Sequence, residues 1–512
     1  GGVRAMTGDD AGAFRVEDWL VDLEEREVVS RRRASRIPGE TEFQFRHALV
    51  RDAAYGMLVA DDRTLAHAVA GDWLERAGES DALVLAEHFA RGGEPARAVR
   101  WYRRAAEQAF EGRDLAAAVD RAERAVQSGA TGEELGALRV LQSVASYWQS
   151  RYADGQRWGE EAARALPRGS GEWFRGVGGV IVSSARLADY AKVDEWIAEA
   201  NDAAPAADAA GDKIICLCRG AFQLIFNARF DAADRLLSRI ADLSASTAGL
   251  DALAIAQSEH VRGVRAAHVG DVAKFLGHLE RAVVAFEQAG DQRNVGLEKT
   301  TIGWCYAELG DFERAIALVR ENLAACERSR AQQAITYGKV NLGFALAAVA
   351  MHRAEARRVL DDAIGECRAV GNVRLEGWAR AHVAGLALAN GDAASAESEA
   401  RTAAELLATS PGLRAWALGV RARALVRLGR AAEALEDARA AVATLDALDG
   451  LLQGESIPPL ALVEALRACG EDATSAIASA KARLARRADR LGSDEWRASF
   501  LAIAENAATL AL

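Results

Sequence analysis

The chain has 512 residues, half of them apolar, 27% charged and 6% aromatic, a composition that excludes a disordered tail or a membrane protein. Lys and Arg number 63 against 74 Asp and Glu, a net charge of −11. That balance argues against a protein that wraps a nucleic-acid backbone, which needs a basic face. Six cysteines make no disulfide framework in so long a chain and fit a reducing compartment. The length allows about three domains or one long repeat array. Seven prolines and few β-branched runs favour helix throughout. The longest apolar run, residues 340–351, contains Asn341 and is too short to cross about 30 Å of hydrocarbon. Gly1-Gly2-Val3-Arg4 has no apolar signal core behind it and no initiator Met. The chain therefore reads as a cytoplasmic piece of a longer protein.

Residues 16–29 read as a helix, with Trp19, Leu20, Leu23 and Val28 on or near one face. Arg31-Arg32-Arg33 leads into Ile37-Pro38-Gly39-Glu40 and then Phe43-Gln44-Phe45, and a Pro-Gly turn between short strand-like runs predicts a β-hairpin. A helix resumes at about His47. Helix, hairpin and helix make residues 1–60 a truncated winged-helix-like piece. Arg31, Arg32, Arg33 and Arg36 form a basic cluster suited to a phosphate or acidic surface within the parent protein.

From about residue 81 one pattern recurs. Ala86, Phe89, Gly93, Ala98, Tyr102 and Ala105 give one copy; Gly303, Tyr306, Gly310 and Ala315, and Ala384, Ala387, Gly391, Ala396, Ala400 and Ala403, give others. Positions three and four apart share a helix face. The residue seven along is where the chain reverses, usually Gly because it tolerates positive φ. Asp114, Asp271, Asp311 and Asp392 follow as N-caps, and a small residue twelve along lets the second helix lie close to the first. The reversals fall at Gly93, Arg113, Arg151, Ala188, Ala228, Gly270, Gly310, Ala350, Gly391 and Gly429, about 40 apart after the second. Phe275 and Glu355 stand where the small residue belongs, which leaves the register of two repeats open. The fold expected is all-α: a right-handed α-solenoid of antiparallel helix pairs over residues 61–450, closed by capping helices over 451–512.

These offsets resemble the tetratricopeptide repeat, with a longer period than that family's 34 residues. Phe43-Gln44-Phe45-Arg46-His47-Ala48-Leu49-Val50-Arg51-Asp52-Ala53-Ala54-Tyr55 looks like the junction after the ATPase module of bacterial STAND-type signalling proteins. Trp496-Arg497-Ala498-Ser499-Phe500-Leu501 is similar to the tails of large bacterial serine/threonine-protein kinases with an ATPase and a repeat array. The resemblance implies a non-catalytic sensor arm that binds a protein or small effector and relays it to upstream modules of the same chain. ATP and Mg are implied for those modules only. The same arm in a nucleotide cyclase or a transcriptional regulator, or a free-standing interaction scaffold, are the alternatives.

Catalytic motifs do not appear. A phosphate loop needs Gly-Lys-Ser/Thr, and Gly338-Lys339 is followed by Val340; the nearest approach to Asp-Phe-Gly is Asp311-Phe312-Glu313 in a repeat turn. Gly176-Val177-Gly178 lacks the third Gly of a dinucleotide loop, and Gly454-Glu455-Ser456-Ile457-Pro458 has Pro where a nucleophile elbow needs Gly. Cys216 and Cys218 project about 200° apart on a helix and cannot ligate together. His260 and His268 share a face without a third ligand. Arg483, Arg486, Arg487 and Arg490 form a basic stripe that reads as a solvated face. If first helices line the inside of the array, Phe222, His260, Trp304, Tyr337, Phe344, Trp378 and Trp416 form an aromatic groove there. Gln257, Lys299, Asn341 and Arg380 stand beside it to orient a peptide or small ligand; the alternative is packing between repeats. Neither a cofactor, a metal, a nucleic acid nor a membrane is expected for the chain itself.

Overall fold

The computed structural model describes residues 2–7, 16–35, 37–329, 331–448 and 450–512, which form twenty-seven α-helices, one short 3-10 helix and one two-stranded sheet. The chain divides into two compact units, Gly1–Gly220 and Ala221–Leu512. Arg36 of the basic cluster lies outside the described residues. No helix among the described residues is long and apolar enough to cross a membrane.

In the first unit a short helix, Gly2–Thr7, comes first, and the helix expected over 16–29 spans Val16–Glu25. Glu27 turns with φ 58, and the β-branched Val29 enters the strand Val29–Arg31. That strand pairs antiparallel with Phe43–Phe45, Ser30 facing Gln44, so the hairpin forms around the Pro-Gly loop as expected. Helix Ala48–Gly56 follows, with His47 as its N-cap and no buried residue. From Ala82 onward the helices alternate, and Pro95–Glu111 packs on both Ala82–Arg91 and Leu115–Gln127, serving two successive pairs.

The second unit is the regular array. Ala252–His268, Val272–Gln288, Gln292–Glu308, Phe312–Arg328, Gln332–Ala348, Arg353–Ala369 and Val373–Ala389 are each 17 residues long. Three-residue links between most of them produce the period of about 40. First helices form an inner row: Gln292–Glu308 packs on Gln332–Ala348, which packs on Val373–Ala389, which packs on Pro411–Arg427. These inner helices are buried on nearly all sides, as Gln292–Glu308 shows with an unbroken buried run from Ile302 to Glu308. Second helices bury one stripe only; Phe312–Arg328 buries Ala315, Ile316, Val319, Asn322, Leu323 and Cys326.

Eight of the ten reversal residues adopt the left-handed conformation, including the non-glycines Arg113, Ala188 and Ala228. Two do not. At the third reversal Ser150 carries the positive φ of 61 and Arg151 is the N-cap. At the eighth the chain makes the 3-10 turn Ala350–His352. That turn lengthens the link by one residue, so fully buried Ala356, not Glu355, occupies the small position. Phe275 is tolerated because Gly263 faces it: a Cβ there would lie 2.9 Å from the ring. All four expected aspartate caps accept from the amide three residues on. Asp189 and Asp291 do the same at other helix starts.

The segment after residue 450 folds back onto helices much earlier in the chain. Arg490 Nη1 donates to the carbonyl of Val269 at 2.5 Å, and Ser499 Oγ donates to that of Leu309 at 2.7 Å. The basic stripe is therefore no solvated face: Arg483 pairs with Asp446 at 2.8 Å, and Arg487 is buried beside Glu455. Arg486 alone of the four is exposed without a bond of this kind among the described residues.

Gly310 sits under this segment with φ 84, where a Cβ would fall 2.4 Å from the Ser499 carbonyl oxygen; at Gly391, with φ 83, a Cβ would meet nothing. Gly391→Ala is expected to cost about 1–2 kcal/mol of backbone strain. Gly310→Ala should cost more in urea denaturation and open the bonds after Arg490 and Arg497 to trypsin. Equal losses with an intact C-terminus would refute the docking.

Candidate functional site

Two cavities open along the inner row of the second unit. The first has a volume of about 280 Å³, and all six inner helices from Ala210–Phe226 to Pro411–Arg427 contribute to it. Phe222 and Phe226, one turn apart, lie with ring centroids 4.5 Å apart, and Phe222 stacks on His260 at 5.8 Å and 17°. Tyr337 and Trp378 meet edge to face at 6.3 Å. Trp304 stands against Phe275 at 6.1 Å.

Polar groups punctuate this apolar box. His260 Nδ1 lies 2.7 Å from Oε1 of the buried Glu298. Burial opposes charge on the ring, but the adjacent carboxylate outweighs it and raises the His260 pKa above its ordinary value. The contact misses hydrogen-bond alignment, so charge attraction holds it. His268 differs: burial lowers its pKa, and Nδ1–H donates to the Val264 carbonyl at 2.8 Å. Arg374 donates to the Tyr337 hydroxyl at 3.3 Å, and its guanidinium lies 5.4 Å from the Phe226 ring centroid. Among the described residues Trp304 Nε1 and Asn341 Oδ1 are buried without a hydrogen-bond partner, although Asn341 Nδ2 donates to the Thr300 carbonyl at 3.0 Å.

The second cavity, of about 310 Å³, lies further along the inner row and is roofed by the returning C-terminal segment. Phe344, His382 and Trp416 form a row of tilted rings with centroids 4.8 Å apart at each step. Gln453 ties the roof down: its carbonyl accepts from Trp378 Nε1, and its amide donates to His382 Nε2 at 3.3 Å. Gly454 presses on the Trp416 indole, where a Cβ would come within 2.3 Å. Burial lowers the His382 pKa to about 3, so the ring is neutral. Burial raises Glu308 to about 7; Arg487 opposes the rise while Glu505 and Glu455 add to it.

The eleven groove residues expected from sequence thus separate. Phe222, Gln257, His260, Trp304, Tyr337, Asn341 and Trp378 line the first cavity. Phe344 and Trp416 line the second. Lys299 pairs with Glu287 at 2.9 Å beside a shallow hollow toward the outer helices. Arg380 is held by Glu376 at 2.9 Å and by Glu399. Helical phase separates these two: each points to its own outer neighbour rather than inward. Sequence reasoning missed Phe226, Glu298 and Arg374. Phe226 is one turn after Phe222, a legible signal; Glu298 stands among the other polar residues of its helix, Asn294, Lys299 and Thr301, and does not stand out. Arg374 at a helix start carries none. Burial pushes the Cys216 thiol up to about 12 and that of Cys367 up to about 11, which disfavours the thiolate of both.

No family model and no curated protein matches the chain. Among solved structures it is similar to a Rap protein complexed with competence and sporulation factor, at 14% identity and TM-score 0.46 over 65% of this chain and 96% of that one. It is also similar to a signal transduction ATPase with numerous domains and a tetratricopeptide repeat sensor from Pyrococcus horikoshii. That match has 13% identity and TM-score 0.44 over 88% of this chain and 62% of the other, so this chain spans under two thirds of it. Yeast Tom70 matches at 12% identity and TM-score 0.31 over 88% and 97%. At such identities and TM-scores these likenesses bear on no particular side chain here.

Glu308 yields a pH test. In the fold it stays protonated after the unfolded chain has ionised, so its contribution to stability falls as pH rises from about 4.5 to about 7. His382 acts oppositely, losing stability as pH falls from 6.5 toward about 3, which flattens the wild-type profile. Comparison isolates the acid: Glu308→Gln should gain stability relative to wild type by roughly 1–3 kcal/mol between those two values. Urea melts at each pH measure this, and a constant difference would contradict the assignment.

Proposed function

We propose that the chain is a non-catalytic sensor arm of a larger bacterial signalling protein, binding a protein or small effector in the first cavity and relaying that state to an ATPase module that precedes it. The observation that carries this reading is that six successive inner helices share one cavity. An occupant there contacts every inter-repeat interface of the row, and small rotations per repeat add along a solenoid. It shifts the parent by its preference for one arrangement over the other.

The N-terminal piece supports the relay. Leu49 and Met57 are 84% and 85% exposed, and Trp19, Val59 and Leu65 are also exposed. An apolar surface of this kind suits docking against a neighbouring module. We read this piece as the winged-helix-like junction after the ATPase, and the parent's output as phosphorylation of serine or threonine, with ATP and Mg bound upstream.

The gene sequence in frame before Gly1 tests the parentage. Gly-Lys-Ser/Thr preceded by His-Arg-Asp and Asp-Phe-Gly is expected; a cyclase there changes the output, and a stop codon removes the relay. The purified chain should not turn over ATP. In the parent, Thr301→Trp, which fills the cavity, should lock the output in one state. Switching indistinguishable from wild type would overturn the role of the cavity.

A further inference from the structure

The first cavity is electrostatically unlike the chain around it. The protein carries a net charge of −11, yet the charged groups lining this cavity are one carboxylate, Glu298, one guanidinium, Arg374, and the imidazoles of His260 and His268. Glu298 is occupied by His260. Among the described residues no carboxylate lies within ion-pair distance of Arg374, whose bond here goes to a neutral phenol. The half-buried guanidinium rests on the face of Phe226. A cation in an aromatic wall without a counter-ion is a receptor for a planar anion, and its fork matches a carboxylate.

Two further groups narrow the ligand. Trp304 and Asn341, each 3% exposed, line this cavity, and each keeps a buried polar atom without a partner among the described residues, a donor and an acceptor respectively. Buried polar atoms are seldom left so. A hydroxyl can accept from one and donate to the other. Phe222, Phe226, Phe275, Phe286, Tyr337 and Trp378 add rings to the wall, and rings stack or meet edge to face on rings. A volume of about 280 Å³ stands at the lower end of small-molecule sites, too small for a folded partner.

We infer that the cavity binds a small hydroxylated aromatic acid, its ring among Phe222, Phe226 and Trp378, its carboxylate on Arg374 and its hydroxyl toward Trp304 and Asn341. This deepens the sensor reading and rests on it. A cationic ligand is disfavoured because the site's carboxylate is already paired and its free charge is positive.

The test uses the full chain and four matched probes: 6-hydroxy-2-naphthoate, its amide, the corresponding aminomethyl compound, and 2-naphthoate without the hydroxyl, each titrated by calorimetry. The hydroxy acid should bind about tenfold or more tightly than its amide, the amine should not bind, and loss of the hydroxyl should weaken the acid severalfold. Arg374→Gln should equalise acid and amide, and Trp304→Phe should erase the advantage of the hydroxyl, with near-ultraviolet dichroism reporting that both variants remain folded. Equal binding of acid and amide, tighter binding of the amine, or a preference surviving Arg374→Gln overturns the proposal. If no probe binds at millimolar concentration, the aromatic acid is discarded. Thr301→Trp in the parent then decides separately whether the cavity remains the sensor.

Discussion

Everything in the second unit follows from one constraint: its inner helices are buried on nearly all sides and exist only when flanked. Gln292–Glu308 buries Trp304, Cys305, Tyr306 and Ala307 in succession, a run that no single partner helix can cover. Close approach makes the flanking possible. A Cβ on Gly303 would lie 2.2 Å from Val319 Cγ2, and one on Gly343 would lie 2.5 Å from Leu360 Cγ, so each inner helix admits the branched side chain of its outer partner against its backbone. Burial at about 25 cal/mol per Å² then accrues pair by pair along the row.

The returning C-terminal segment completes the inner side. Gln453 reaches Trp378 and His382, Ser499 reaches the Leu309 carbonyl, and Arg490 reaches that of Val269. Two of these acceptors are carbonyls at helix ends, which lack partners within their own helices. The segment thus satisfies the links of the array while excluding water from its inner face. Exclusion of water is what drives Glu308 and His382 toward their neutral forms.

Local physics was legible in the sequence, and long-range closure was not. Left-handed reversals and aspartate caps are decided within a few residues, so Gly270-Asp271 and Gly310-Asp311 announce themselves. Ser150 took the position assigned to Arg151, since either residue can carry positive φ at similar cost. The 3-10 turn at Ala350 has no marker comparable to Gly and shifted the following repeat by one residue. Periodicity placed seven of the expected groove residues in one cavity because it sets which helix is inner. It assigned Lys299 and Arg380 less well, since the phase of each on its helix turns it toward an outer neighbour whose carboxylate holds it. The fold-back of residues 451–512 joins positions about two hundred residues apart, and no local pattern encodes that.

The polar atoms inside the row show which deviations from an apolar core are structural. Asn322 Nδ2 donates to the Gly296 carbonyl at 2.8 Å and to Thr300 Oγ1 at 2.9 Å, and Asn341 Nδ2 takes the Thr300 carbonyl. This network bridges neighbouring repeats and fixes their register, and its donors are satisfied. The unpaired Trp416 Nε1 lies beneath Gly454, shut in by backbone. Trp304 and Asn341 line the first cavity as Trp416 lines the second, and each keeps a buried polar atom without a partner among the described residues. Unpaired buried atoms also occur at Ser258, Arg265 and Trp416, so it is the place of Trp304 and Asn341 beside the Arg374 guanidinium and the aromatic rings, and not the lack of a partner alone, that marks the first cavity as a site.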